Sequence, residues 1–207
     1  MWHNQIPDWV TRNGDGTLVS ANTLYRNIFD HISSVAGRYS GKIKGWDVVN
    51  EAILDDGSYR ENDFYKISAD EYIFKSFEIA NKIDPNAELY YNDFSMYKPE
   101  KCDAAIRIAN KILERGLRID GIGLQAHWGL DYPSIDEIET SILKIHEAGY
   151  RVHFTELDID VLPNLWEIEG ADLSDNFKSN DQLNPYKSSL PDSCLLYTSD
   201  AADEQFG

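Results

Sequence analysis

The stretch Trp46-Asp47-Val48-Val49-Asn50-Glu51-Ala52-Ile53 constrains the fold of this chain more than any other. A continuous Trp/Val run reads as a strand buried on both faces, and such strands belong to parallel sheets. This run leads into an Asn-Glu pair. A carboxylate at the carboxyl end of a parallel strand lies at the mouth of the sheet, where α/β active sites are built. Residues 152–159, VHFTELDI, repeat the pattern around Glu156. The chain therefore offers two glutamates, Glu51 and Glu156, each at an expected strand terminus.

The intervening sequence supplies further strands and the helices that connect them. Residues 87–94 (AELYYNDF) and 121–128 (GIGLQAHW) are apolar runs that end in Asn92-Asp93 and in Gln125, His127 and Trp128. The spacing of Leu24, Ile28, Ile32 and Val35 predicts a helix over 22–38. Ser68-Ala69-Asp70-Glu71 reads as a capping box opening a helix that carries Ile73, Phe77 and Ala80 and stops before Pro85. Pro99 opens a helix through Cys102, Ile106, Ala109 and Leu113 that Gly116 closes. Ser134-Ile135-Asp136-Glu137 is a second capping box, and Gly149 ends its helix. The segment 55–63 reads as a polar loop, and Trp2-His3 as the end of a strand. The order βαβαβαβ means a parallel sheet. A doubly wound sheet concentrates its ligand at one switch point, whereas polar groups on every strand end fit a barrel with one mouth.

Charge narrows the function. With 36 acidic against 19 basic residues and a net charge of −17, nucleic acid is excluded as a partner, because its phosphates need Lys and Arg. No apolar run reaches membrane-spanning length, so no membrane role is expected, and nothing calls for an obligate protein partner. Cys102 and Cys194 are expected to be stray thiols rather than a disulfide framework. No glycine-rich phosphate loop and no cysteine metal spacing occurs, so neither cofactor nor metal is expected. A site of His127, Asp158 and Glu156 matches no metal motif.

A lone glutamate is ordinarily a helix cap or a lysine partner. Two that end buried strands of one sheet are the equipment for cleaving a glycosidic bond: one protonates the leaving oxygen, the other attacks the anomeric carbon or activates water. His127 also stands at a strand mouth, where it can hold a carboxylate ionised, with Asp158 to orient it. His3, Gln5 and Trp9 are large polar or aromatic groups in a loop, where ligand contacts concentrate.

The segments WHNQIPDW, WDVVNEAI, LYYNDFSM, GIGLQAHW and FTELDI, in this order, resemble glycoside hydrolase family 10, the endo-β-1,4-xylanases, from residue 1 to about residue 193. The resemblance implies a (β/α)8 TIM barrel and a retaining double displacement on xylan and xylo-oligosaccharides. On it, Glu51 is the acid/base and Glu156 the nucleophile. Asn50 would bind the sugar 2-hydroxyl beside the cleavage point, and His127, backed by Asp158, would contact Glu156. His3, Gln5, Trp9 and Gln125 would line the sugar subsites, and Asn92 and Asp93 would support the site around Glu51. Another retaining β-1,4-glycanase such as a cellulase, or an inactive carbohydrate-binding remnant, stays open as an alternative.

The resemblance also has departures. Phe94 and Ser95 stand where many members carry Tyr and Asn. The family's strands 1 and 2, most of strand 3 and strand 8 have no counterpart. The barrel is therefore expected to be incomplete here, running from the end of strand 3 through strand 7 over residues 1–193. Residues 194–207 would be a non-matching tail, an out-of-frame or joining artefact. Such a piece would aggregate or partly unfold and show no xylanase activity by itself. No signal peptide is expected within this stretch, while the parent protein is expected to be secreted, to the exterior or the periplasm.

Overall fold

The computed structural model describes residues 1–160, so the expectations for the 163–193 loop, Cys194 and the tail lie outside the described residues. The structure divides into two units. The first comprises Met1–Ala126 and Ser134–Leu157, and the second His127–Pro133 with the chain from Asp158.

The first unit holds a four-stranded sheet of β1 (Gly45–Asn50), β2 (Glu88–Asp93), β3 (Gly121–Leu124) and β5 (Arg151–Phe154). Every pairing is parallel and the spatial order β1-β2-β3-β5 follows the chain. Each strand lies beside its predecessor, which is barrel-type winding and not the strand reversal of a doubly wound sheet. Trp2 forms a parallel bridge to Asn50, so the expected strand end is present on the open side of β1. The second unit contains a separate parallel pair, β4 (His127–Gly129) with β6 (Asp158–Asp160).

Helices α1 (Ala21–Val35), α2 (Asp63–Ser68), α3 (Glu71–Ile83), α4 (Pro99–Glu114) and α5 (Ile135–Glu147) bring their apolar faces to the core. That core includes Leu24, Ile28, Ile73, Phe77, Leu89, Ile108, Ile112 and Ile122, none more than 2% exposed. Ser20 caps α1 and accepts from Thr23 N–H at 3.2 Å. Ser134 and Glu137 form the reciprocal box expected at α5. Gly116 and Gly149 take φ of +72° and +92° just past α4 and α5, a conformation that ends a helix and that side chains with a Cβ resist.

Some local expectations are corrected. Segment 55–63 is not all loop, because Asn62 caps α2, accepting from Tyr65 N–H at 3.0 Å, and Phe64 buries its first turn. Ser68 therefore ends α2, where its hydroxyl donates to the Phe64 carbonyl instead of capping α3. Asp70 precedes α3 without a capping bond and accepts from Tyr59 and Lys111, both at 3.1 Å. Val35 and Leu113 are exposed, and Ala36 and Ile112 take the core positions. The 121–128 run is not one strand: Ala126, at φ +62°, breaks it, and His127 starts β4. Strand β5 is exposed at Arg151, His153 and Phe154 rather than buried on both faces, since among the described residues it pairs with β3 alone.

Candidate active site

The site begins with backbone placement. A register shift between Asp47 and Val49 sets Asn50 opposite Asn92 across β1 and β2. The chain then leaves the strand with Glu51 at φ +58°, a rare conformation for a residue with a Cβ, which persists only where surroundings hold it. Three bonds hold it. Glu51 N–H donates to the Asn92 carbonyl at 3.0 Å, Arg60 Nε donates to the Glu51 carbonyl at 3.1 Å, and Ala52 N–H donates to the Tyr91 hydroxyl at 3.0 Å.

Neutral amides knit the side chains together. Glu51 Oε1 accepts from Gln125 Nε2 at 2.9 Å and from Asn50 Nδ2 at 3.2 Å. Asn50 Oδ1 accepts from Gln125 Nε2 at 3.1 Å and Asn92 Nδ2 at 2.9 Å. The other proton of Asn92 Nδ2 goes to Glu156 Oε1, also at 2.9 Å. Asn92 is itself fixed by Thr155, whose hydroxyl donates to Asn92 Oδ1 at 2.7 Å. Gly123 lies opposite Asn92 in the ladder, where an added Cβ would come within 2.6 Å of Asn92 Oδ1. Glycine is thus what lets the amide occupy the space between β1 and β5.

Behind this web lies a buried charged layer. Asp93 and Lys101 are both fully buried and pair at 2.9 Å. Asp93 also accepts from the Tyr91 hydroxyl at 2.5 Å and from Phe94 N–H at 2.9 Å. Lys101 reaches Asp55 at 3.1 Å and sits 3.4 Å from the centre of the Phe94 ring, and Lys98 pairs with Asp55 from the other side. Burial raises the Asp93 carboxyl to about 6; Lys101 and the Tyr91 bond pull it down, and the charge of Glu51 pushes it up. Burial and the neighbouring Asp93 drive the Tyr91 phenol well above its ordinary range, so it stays a neutral donor.

His3 is half buried, and its Nδ1 has no hydrogen-bond partner among the described residues. Burial lowers its pKa, Arg60 adds to the lowering, and Glu51 opposes it. With Gln5, Asp8, Arg12 and Asn62 it lines a cavity of about 330 Å³. Trp9 is 65% exposed in a short 3-10 helix, Asp8–Val10. In the second unit, His127 Nδ1 and Asp158 Oδ2 are 3.0 Å apart, at partner positions of the β4–β6 ladder.

The sequence profile described as glycosyl hydrolase family 10 matches residues 1–196. The chain belongs to that family. Endo-1,4-beta-xylanase A of Xylanibacter ruminicola is 45% identical over 190 residues, which are 92% of this chain and 52% of that protein. The Geobacillus stearothermophilus endo-1,4-beta-xylanase is 40% identical, over 78% of this chain and 49% of its own length. A family 10 endoxylanase from a sugarcane soil metagenome superposes with a TM-score of 0.81 at 39% identity, covering 93% of this chain and 54% of that one. The chain spans about half the length of these relatives. Membership carries the (β/α)8 barrel, of which the described residues supply the parallel β1-β2-β3-β5 arc and its helices.

Against the sequence expectations for a family 10 site, the first unit brings Glu51, Asn50, Asn92, Gln125 and Glu156 into one hydrogen-bonded web. Asp93 is linked to the Glu51 turn by Tyr91, which donates to Asp93 and accepts from Ala52 N–H. His127 is paired with Asp158 as expected. Gln5 and Trp9 stand on the loop that follows the Trp2 bridge. Sequence reading missed Arg60, Tyr91, Thr155 and Lys101. Lys101 had no signal, since a lysine in an amphipathic helix reads as solvent-facing. Tyr91, in the middle of an apolar run, reads as core.

Proposed function

We propose that this chain carries the catalytic glutamates of a retaining endo-β-1,4-xylanase. The observation that carries the reading is the amide bridge: Glu51 and Glu156, just past the ends of β1 and β5, are tied through Asn50 and Asn92 into one hydrogen-bonded web. Glu156 attacks the anomeric carbon while Glu51 gives its proton to the departing sugar oxygen, and the glycosidic C–O bond breaks. Water then attacks the same carbon, gives its proton to Glu51, and releases Glu156. This geometry requires carboxyl groups about 5–5.5 Å apart. In this reading Asn50 meets the sugar 2-hydroxyl, and His3, Gln5, Trp9 and Gln125 bind neighbouring sugars.

The relatives support the substrate and the pair. The intracellular xylanase of Thermoanaerobacterium saccharolyticum, 34% identical with a TM-score of 0.73, is one of them. Two of its glutamate-to-alanine variants are known as complexes, one with xylotetraose and one with xylotriose. The two mutated glutamates there have the same sequence separation as Glu51 and Glu156 here. A polymer substrate too large to cross a membrane favours secretion of the parent protein, although that relative is described as intracellular. Among the described residues no helix is long and apolar enough to cross a membrane.

The test uses the protein as its complete gene encodes it. Glu156→Ala should abolish turnover of every substrate. Glu51→Ala should lower kcat/KM on xylan by about 10²–10⁴-fold while sparing kcat/KM on a dinitrophenyl xylobioside, whose leaving group needs no proton. Azide should restore kcat of the Glu51 variant. Wild-type xylan hydrolysis by either variant would refute the assignment.

A further inference from the structure

The three bonds on the Glu51 turn are not equivalent. Two come from backbone or from a partly exposed arginine, whereas the third, from Ala52 N–H, ends on a phenol in the protein interior. The Tyr91 ring is completely buried, and its hydroxyl spends its own proton on Asp93. Its lone pair is therefore the part left to face Ala52. Asp93 would not stay there as an acceptor without Lys101, which is equally buried and in turn held by Asp55 and the Phe94 ring. The chain of contacts runs without a gap from α4 to the residue that follows Glu51.

We infer that Tyr91 and Lys101 are positioning residues for Glu51: the Lys101–Asp93 pair orients the Tyr91 hydroxyl, which grips Ala52 N–H and holds the left-handed backbone at Glu51. This rests on the reading of Glu51 as the acid/base. A buried lysine and aspartate are poorly explained by stability alone, because apolar side chains of similar volume would serve as well or better. Their use here is directional. A phenol without a strong acceptor could turn its proton toward the Ala52 amide, and the turn would lose one of its three restraints. A displaced acid fails at proton delivery, and it does so without altering sugar binding or the nucleophile's attack.

Tyr91→Phe deletes one oxygen and keeps the ring, so the core stays filled. In the protein as its complete gene encodes it, kcat/KM on xylan should fall about tenfold, a fraction of the full general-acid contribution. KM for xylan and kcat/KM for the dinitrophenyl xylobioside should stay within about twofold, since that first step needs no proton. Lys101→Met should show the same split, and Asp93→Asn combined with Lys101→Met supplies a neutral version should the single variant fail to fold. Equal losses on both substrates would mean a merely structural role and would overturn the inference, as would no loss on either. Glu51→Ala is the control. If it shows the leaving-group split and Tyr91→Phe does not, only this inference falls; if it does not, the reading of Glu51 falls with it.

Discussion

Lys101→Met is the perturbation that weighs most on the buried layer. Methionine keeps the unbranched stem, so little packing is lost and the change is chiefly electrostatic. It removes the ion pair to Asp93 at 2.9 Å, the bond to Asp55 at 3.1 Å and the cation over the Phe94 ring. Asp55 is 43% exposed and keeps Lys98, so its loss is small. Asp93 is 0% exposed and is left without a cation. Breaking a buried pair from one side costs about 3–5 kcal/mol.

The cost should depend on pH in a definite direction. The Asp93 carboxyl already titrates at about 6, raised by burial above its ordinary value. The folded protein therefore holds a proton that the unfolded chain has released, and Asp93 takes stability away as pH rises toward about 6. Below that range Asp93 is neutral with or without Lys101, and the variant should lose only about 1 kcal/mol. Above about 6 the wild-type carboxyl is ionised against Lys101, so losing that cation costs more at pH 8 than at pH 5. Urea unfolding of the wild type and the variant at pH 5 and pH 8 measures both. Asp93→Asn added to Lys101→Met should recover most of the pH 8 loss, because it removes the orphaned charge. An equal penalty at the two pH values, or a double variant no more stable than Lys101→Met, would refute the reasoning.

Gly123→Ala would set a Cβ 2.6 Å from Asn92 Oδ1 and 2.9 Å from Thr155 Cγ2. Displacing Asn92 by such an amount should cost about 10²-fold in kcat/KM on xylan, with about 1–3 kcal/mol of stability, read by kinetics beside a urea melt. Ser134→Ala removes the α5 capping box, and should cost about 1 kcal/mol in the same melt with kcat/KM unchanged.

Much of this architecture could be read from the chain because it rests on local rules. Val48, Val49, Leu89 and Ile122 are buried strand residues, and runs of such residues mark parallel strands wherever they occur. Glu51 and Glu156 were legible because a strand terminus is a position in sequence as well as in space. What stayed hidden depends on pairing across the chain. The register shift that puts Asn50 opposite Asn92 leaves no local mark. Lys101 looks like any helix-surface lysine until Asp93, on a different strand, is known to lie under it. The Ser68 capping box matched the pattern of its kind, yet Asn62 supplied a competing cap one helix earlier and Tyr59 with Lys111 claimed Asp70. The 121–128 run failed as one strand because a positive φ at Ala126 is a property no apolar pattern carries.

In a chain of net charge −17, the donors on the Glu51 carboxyl among the described residues are neutral amides. Among the described residues the Glu51 carboxyl receives Asn50 and Gln125 amides, and Arg60 spends its Nε on the Glu51 backbone carbonyl. A lysine or arginine within hydrogen-bond reach favours the ionised form of any carboxyl, which is the wrong bias for a group that must hand over a proton. An amide fixes position with far less of that bias. The same logic places Lys101 behind the site. There it pairs with Asp93, whose charge and that of Glu51 are felt by each other, while the Tyr91 hydroxyl bonds both Asp93 and Ala52 N–H. Charge is thus balanced in the buried layer, while Glu51, the acid of the proposed mechanism, is held by neutral amides.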